Sequence, residues 1–85
     1  MEEKKATSQT INLSQDEIVM GFVALCIENC AEKEGVPPRT MYQRMSKVGL
    51  IQSYLIGCYD TLHTESIQSV TNLVLNTLKG KESKV

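Results

Sequence analysis

The chain has 85 residues and a net charge of −1, with 41% hydrophobic and 22% charged residues. A chain of this length forms one domain whose core leaves little room for a deeply buried cofactor. The balanced charge gives no overall attraction to nucleic acid or to an anionic membrane, although it allows a local patch. The sequence contains no apolar run of membrane-spanning length and no apolar signal-peptide core near its start. We therefore expect a cytoplasmic protein without a cofactor.

The first helix is the most clearly marked element. Ser14 and Glu17 form a capping-box pattern in which each side chain can bond to the other residue's backbone. Apolar residues then recur at helical spacing until Gly35, which suits the left-handed residue after a helix. The sequence predicts a helix over residues 15–34.

Three shorter helices should follow, which makes the fold an all-α bundle of about four helices with the long first helix at its centre. Pro38 suits the first position of a helix, and Gly49 and Gly80 mark helix ends. We expect these helices at about Pro38–Lys47, at about Ile51–Leu62, and from Thr64 or Ser66 to Leu78. The corresponding organisation is a tail over 1–13, one helical domain over 14–79 and a second tail over 80–85.

The first helix has an unusually wide apolar arc, which covers more than half of its circumference. A helix of this kind is buried on several sides, either by its own chain or by a partner. We therefore expect protein binding at Val19, Val23 and Cys30, with a homodimer or a small protein partner as the outcome.

Three cysteines and one histidine are the candidate metal-binding or catalytic residues: Cys26, Cys30, Cys58 and His63. A zinc set is disfavoured because Cys26 and Cys30 share a helix face, whereas zinc knuckles carry paired cysteines on a turn. A catalytic pair of Cys58 and His63 is disfavoured because no cysteine lies at a helix N-terminus or between cations. We expect reduced thiols, no metal and no enzymatic activity.

Residues 31–45 suggest an alternative function, because their pattern resembles a helix–turn–helix motif. A small residue and a turn glycine precede a helix that carries polar and basic side chains suited to reading bases: Arg39, Gln43, Arg44 and Lys47. Three features argue against this motif. The first helix is too long for it, and Arg44 occupies a position where the motif has an apolar residue. The net charge of −1 also provides no excess positive charge for binding phosphates. DNA binding is therefore the alternative to protein binding.

The segment from Tyr59 to Thr64 joins the third and fourth helices. Thr64 can cap the fourth helix and Asp60 can bond locally, so the segment is predicted to be a structural corner in which Leu62 is the most buried residue. His63, beside a helix N-terminus, is expected to be neutral.

The same corner carries a resemblance to a known family. Tyr59-Asp60-x-Leu62-His63-Thr64, together with Phe22-Val23-x-x-Cys26-Ile27-Glu28-Asn29, resembles the bacterial family called domain of unknown function 3791. The resemblance extends over about 18–75, and it implies a short helical bacterial protein with no assigned activity. It also implies an antitoxin-like role, because relatives are often encoded beside a second small protein related to ADP-ribosyltransferases.

Overall fold

The computed structural model describes residues 14–84, and the elements between these limits are helices, with no strand. The helices are α1 (Gln15–Glu34), α2 (Pro38–Lys47), α3 (Ile51–Ile56), α4 (Tyr59–Leu62) and α5 (Ile67–Glu82). The predicted all-α fold is confirmed. The predicted tail over 1–13 lies outside the described residues.

The first two helices begin and end where the sequence predicts. Ser14 Oγ accepts a hydrogen bond from the Glu17 backbone N–H at 3.2 Å, and Glu17 Oε1 accepts one from the Ser14 N–H at 3.0 Å. Gly35 ends α1 in the left-handed conformation at φ 71°, and its N–H bonds to the last turn. Three residues after Gly35, α2 begins at Pro38, and it packs against α1 as the second arm of a helical hairpin.

The predicted third helix is interrupted. Its first part, α3, is π-helical, and the Gly57 N–H donates to the Gln52 carbonyl five residues earlier at 3.2 Å. A Cβ atom at Gly57 would lie 2.7 Å from the Ser53 carbonyl oxygen, so the turn closes this tightly because the residue is glycine. The chain then leaves the helical path at Cys58 (φ −110°, ψ 22°) and begins α4 at Tyr59.

The last helix begins at the second of the two predicted starts, Ser66, and ends later than predicted. Its cap is Ser66, whose Oγ accepts from the Ser69 N–H at 3.1 Å, whereas Thr64 Oγ1 donates to the Thr61 carbonyl at 2.9 Å. The expectation that Thr64 caps this helix was therefore wrong. The helix also continues past Leu78 and through Gly80 to Glu82, because side chains in its last turn pair with α1 and α2. The predicted helix end at Leu78 was wrong, and the domain boundaries stay a prediction.

The long helix α1 packs against α2, α3 and α5. α5 runs in the same direction as α1, because successive contacts advance together along both helices: Cys30 with Thr71, Lys33 with Asn72, and Glu34 with Lys79. The side chains buried between the helices form one core: Val23, Cys26, Cys30, Ala31, Met41, Met45, Leu50, Leu55, Leu62, Val70, Val74, Leu75 and Leu78.

Candidate functional site

An apolar groove of about 370 Å³ lies between α1 on one side and α2, the turn at Gly49 and α3 on the other. Most of its wall is hydrophobic and comes from all three helices: Met20, Val23, Ala24, Ile27, Tyr42, Ile51 and Ile56. Met20 and Tyr42 are each 52% exposed, although both side chains are large and mainly apolar. The groove is therefore an open surface that water contacts rather than an enclosed cofactor cavity.

Of the predicted partner-binding residues, Val23 contributes to the lining of the groove, whereas Val19 and Cys30 do not. Val23 is 3% exposed and Cys30 is fully buried, because α1 turns these two side chains into the chain's own core, and Val19 is half-buried. Their neighbours Met20 and Ala24, a quarter-turn further around the helix, are exposed, as are Ile18 and Leu25 elsewhere on α1. The wide apolar arc of α1 thus leaves part of its surface uncovered, and Val19, Val23 and Cys30 stay a prediction as partner-binding residues.

The lining of the groove contains no charged residue, but exposed residues of opposite charge lie on the helix faces next to it. On α1, Glu17 and Glu28 are exposed and share a helix face with Ala24, since they lie seven residues before and four residues after it. On α2, Arg39 shares the face of Tyr42 and Ser46, and the sequence of α2 contains no acidic residue. We call Glu17 and Glu28 on α1 the acidic border of the groove and Arg39 on α2 its basic border.

Arg44, one of the four predicted DNA-binding residues, forms ion pairs with carboxylates of the same chain. Its guanidinium donates to both carboxylate oxygens of Glu82, at 2.9 and 2.8 Å, and lies 3.4 Å from Glu34, which also pairs with Lys79 at 3.0 Å. The hydrogen bonds from Arg44 lower the pKa of Glu82, and those from Lys79 and Arg44 lower the pKa of Glu34. Of the other three, Arg39, Gln43 and Lys47 are exposed. This ion-pair network joins α2 to the ends of α1 and α5.

The corner from Tyr59 to Thr64 has a buried residue and an exposed polar side. Leu62 is 2% exposed and is the most buried of the corner residues, as predicted, whereas Asp60, His63 and Thr64 are exposed. The His63 ring stacks on Tyr59 with centroids 4.5 Å apart, and its Nδ1 lies 2.8 Å from the Tyr59 carbonyl oxygen. At that distance Nδ1 carries the proton and donates to the carbonyl.

The two sequence segments of the resemblance meet at this corner. The Phe22 ring of α1 meets the Tyr59 ring edge to face, with centroids 5.3 Å apart. Phe22 and Tyr59 are both half-buried. These aromatic residues therefore fix the corner to α1, which supports a structural role for the paired segments.

A family model described as "Protein of unknown function (DUF3791)" matches residues 21–81, which is more than half of the chain. The chain belongs to this family. The match includes α1 from its second turn onward, the Tyr59–Thr64 corner and α5 almost to its end. A search of curated proteins and a search of solved structures each found no match to the chain.

The two thiols of α1 lie in the core of this chain. Burial raises the pKa of Cys26 to about 12 and that of Cys30 to about 11, with a smaller contribution from the Glu34 carboxylate to Cys30. Both thiols are thus protonated at neutral pH, and a protonated buried thiol is a poor nucleophile. Within residues 14–84 no three side chains of His, Cys, Asp or Glu are grouped so as to hold a metal ion. None of the helices in the same range is long and apolar enough to cross a bilayer.

Proposed function

We propose that this chain is a non-enzymatic protein-interaction module that binds its partner in the groove between α1 and α2. The exposed apolar wall of the groove carries this proposal, since large apolar side chains such as Met20 lose water contact when a partner covers them. Extended apolar surface on a small soluble protein commonly marks an interaction site. Tyrosine and methionine are also enriched in protein interfaces.

The partner is either a second copy of the chain or a small protein. The resemblance to relatives that are encoded beside a second small protein supports an antitoxin-like role. In this role the groove binds that second protein and inhibits it. Such a pair would work in the cytoplasm of a bacterium. This role needs no catalytic residue in the chain and no cofactor.

DNA binding by α2 is the alternative. It is supported by the exposed side chains of Arg39, Gln43 and Lys47, which lie on a helix without acidic residues. It is weakened because Arg44 is engaged by Glu82 and because the acidic border of α1 adjoins the groove. A DNA-binding protein would show affinity for duplex DNA that falls steeply as salt is raised.

The experiment compares Met20→Lys in the groove with Leu73→Lys on α5, a matched control that is 42% exposed and outside the groove. Calorimetry would measure the heat of diluting the chain alone and of titrating it into the protein encoded beside it. Circular dichroism would verify that both variants fold, and duplex DNA would be titrated in parallel.

The proposal expects heat in at least one protein titration, lost in Met20→Lys and kept in Leu73→Lys. It is overturned by the absence of heat in both titrations, or by equal behaviour of the two variants. Salt-sensitive binding of duplex DNA alone would replace it with the alternative.

A further inference from the structure

We infer that a second copy of this chain occupies the groove, in a symmetric dimer whose α1 helices run in the same direction. This inference rests on the proposed function, because it names the occupant of the same groove. The argument starts from the charges on the two borders, since hydrophobic contact alone does not select one partner over another.

A partner that fits this groove must present a basic border to α1 and an acidic border to α2. A second copy has both borders around an identical apolar centre. Two-fold symmetric dimers are the commonest homo-oligomers, and each contact in them is made twice. The second copy therefore meets both charge requirements with no additional feature of the sequence.

The charges also select the direction of the two-fold axis. If the axis lies in the interface and runs along α1, the acidic border of one copy faces the basic border of the other on both sides. If the axis lies in the interface and runs across α1, acidic borders face each other and basic borders face each other, which costs several kcal/mol. The first arrangement keeps both copies of α1 parallel.

The parallel arrangement predicts a particular ion pair. Because α2 returns along α1 after a short turn, Arg39 in its first turn lies beside the C-terminal half of α1, where Glu28 is located. A two-fold axis along α1 keeps each residue at the same level, so Arg39 of one copy should meet Glu28 of the other. Met20 and Tyr42 form the apolar centre between the two such pairs.

Light scattering and sedimentation equilibrium over micromolar concentrations test the inference by the mass of the species relative to the 9.5 kDa chain. The unmodified chain should have twice this mass, and Met20→Lys should be monomeric while Leu73→Lys stays dimeric. Arg39→Glu and Glu28→Arg should each raise the dimer dissociation constant by roughly tenfold or more. The double variant should restore the dissociation constant, and Glu65→Arg, which reverses an exposed charge next to the corner, should leave it unchanged.

A monomer throughout the concentration range would overturn the second copy as the occupant. If the protein encoded beside the chain still bound to that monomer and Met20→Lys abolished the binding, the groove would remain an interaction site. If neither protein bound, the proposed function would fail as well. A dimer in which the double variant is as weak as the single variants would overturn the parallel arrangement.

Discussion

Adding one methyl group at Gly57 should destabilise the fold, although the backbone there has helical angles. In an ordinary helix, alanine in place of glycine raises the free energy of unfolding by about 0.5–1 kcal/mol. At Gly57 (φ −63°, ψ −33°) the new Cβ would lie 2.7 Å from the Ser53 carbonyl oxygen and 3.3 Å from its carbon. These are backbone atoms, so relief requires the turn to open and stretch the hydrogen bond from Gly57 to Gln52.

Overpacking of this kind costs about 1–3 kcal/mol, which exceeds the helix-propensity gain. We expect Gly57→Ala to lower the free energy of unfolding by about 1–2 kcal/mol, and the midpoint of thermal unfolding by on the order of 4–16 °C. Urea and thermal unfolding followed by circular dichroism would measure both quantities.

Gly80→Ala is the matched control, since Gly80 lies within α5 and a Cβ there has no atom within 4 Å. The free energy of unfolding of Gly80→Ala should rise by about 0.5–1 kcal/mol. The reasoning about the turn is refuted if Gly57→Ala is at least as stable as Gly80→Ala.

Three further predictions concern the corner and the ion-pair network. Leu62→Ala, at a side chain 2% exposed, should lower the free energy of unfolding in urea by about 2–5 kcal/mol, and a loss below 1 kcal/mol would show that the site collapses around the smaller residue. Ser66→Ala should cost about 1 kcal/mol in the same assay because it removes the cap of α5, whereas Thr64→Ala should cost less; the reverse order would contradict the assignment of the cap. Because Arg44 lowers the pKa of Glu82 in the folded state, this pair stabilises the fold above the ordinary glutamate value of 4.5 and is lost as pH falls below it. Glu82→Gln should therefore cost about 0.5–1 kcal/mol at pH 7 and flatten the acid-side fall in stability, and an unchanged pH profile would count against the pair.

The local elements of the fold could be predicted because their signals are local. The capping box at Ser14 and Glu17, the left-handed Gly35 and the helix-starting Pro38 act within one turn of the residues they control. The third helix was predicted as continuous because its apolar spacing runs through Gly57. Its interruption depends on backbone contacts of a π-helical turn, which periodicity does not describe.

The uncovered surface of α1 could be predicted only in part. The wide apolar arc indicated that some of the helix stays exposed, but periodicity shows which residues share a face and not which face the neighbouring helices cover. The structure turns Val23 and Cys30 inward and leaves Met20 outward. The end of α5 was missed for a similar reason, since Glu82 is held by Arg44 from a distant part of the chain.

The shared direction of α1 and α5 affects the order in which the chain folds. Contacts such as Cys30 with Thr71 and Lys33 with Asn72 join residues 41 and 39 positions apart, so they form only after a long loop has closed. The hairpin of α1 and α2 needs a turn of only a few residues, so it should assemble early and provide the surface on which α5 docks. Substitutions in α5 would then mainly speed unfolding, whereas substitutions between α1 and α2 would slow folding.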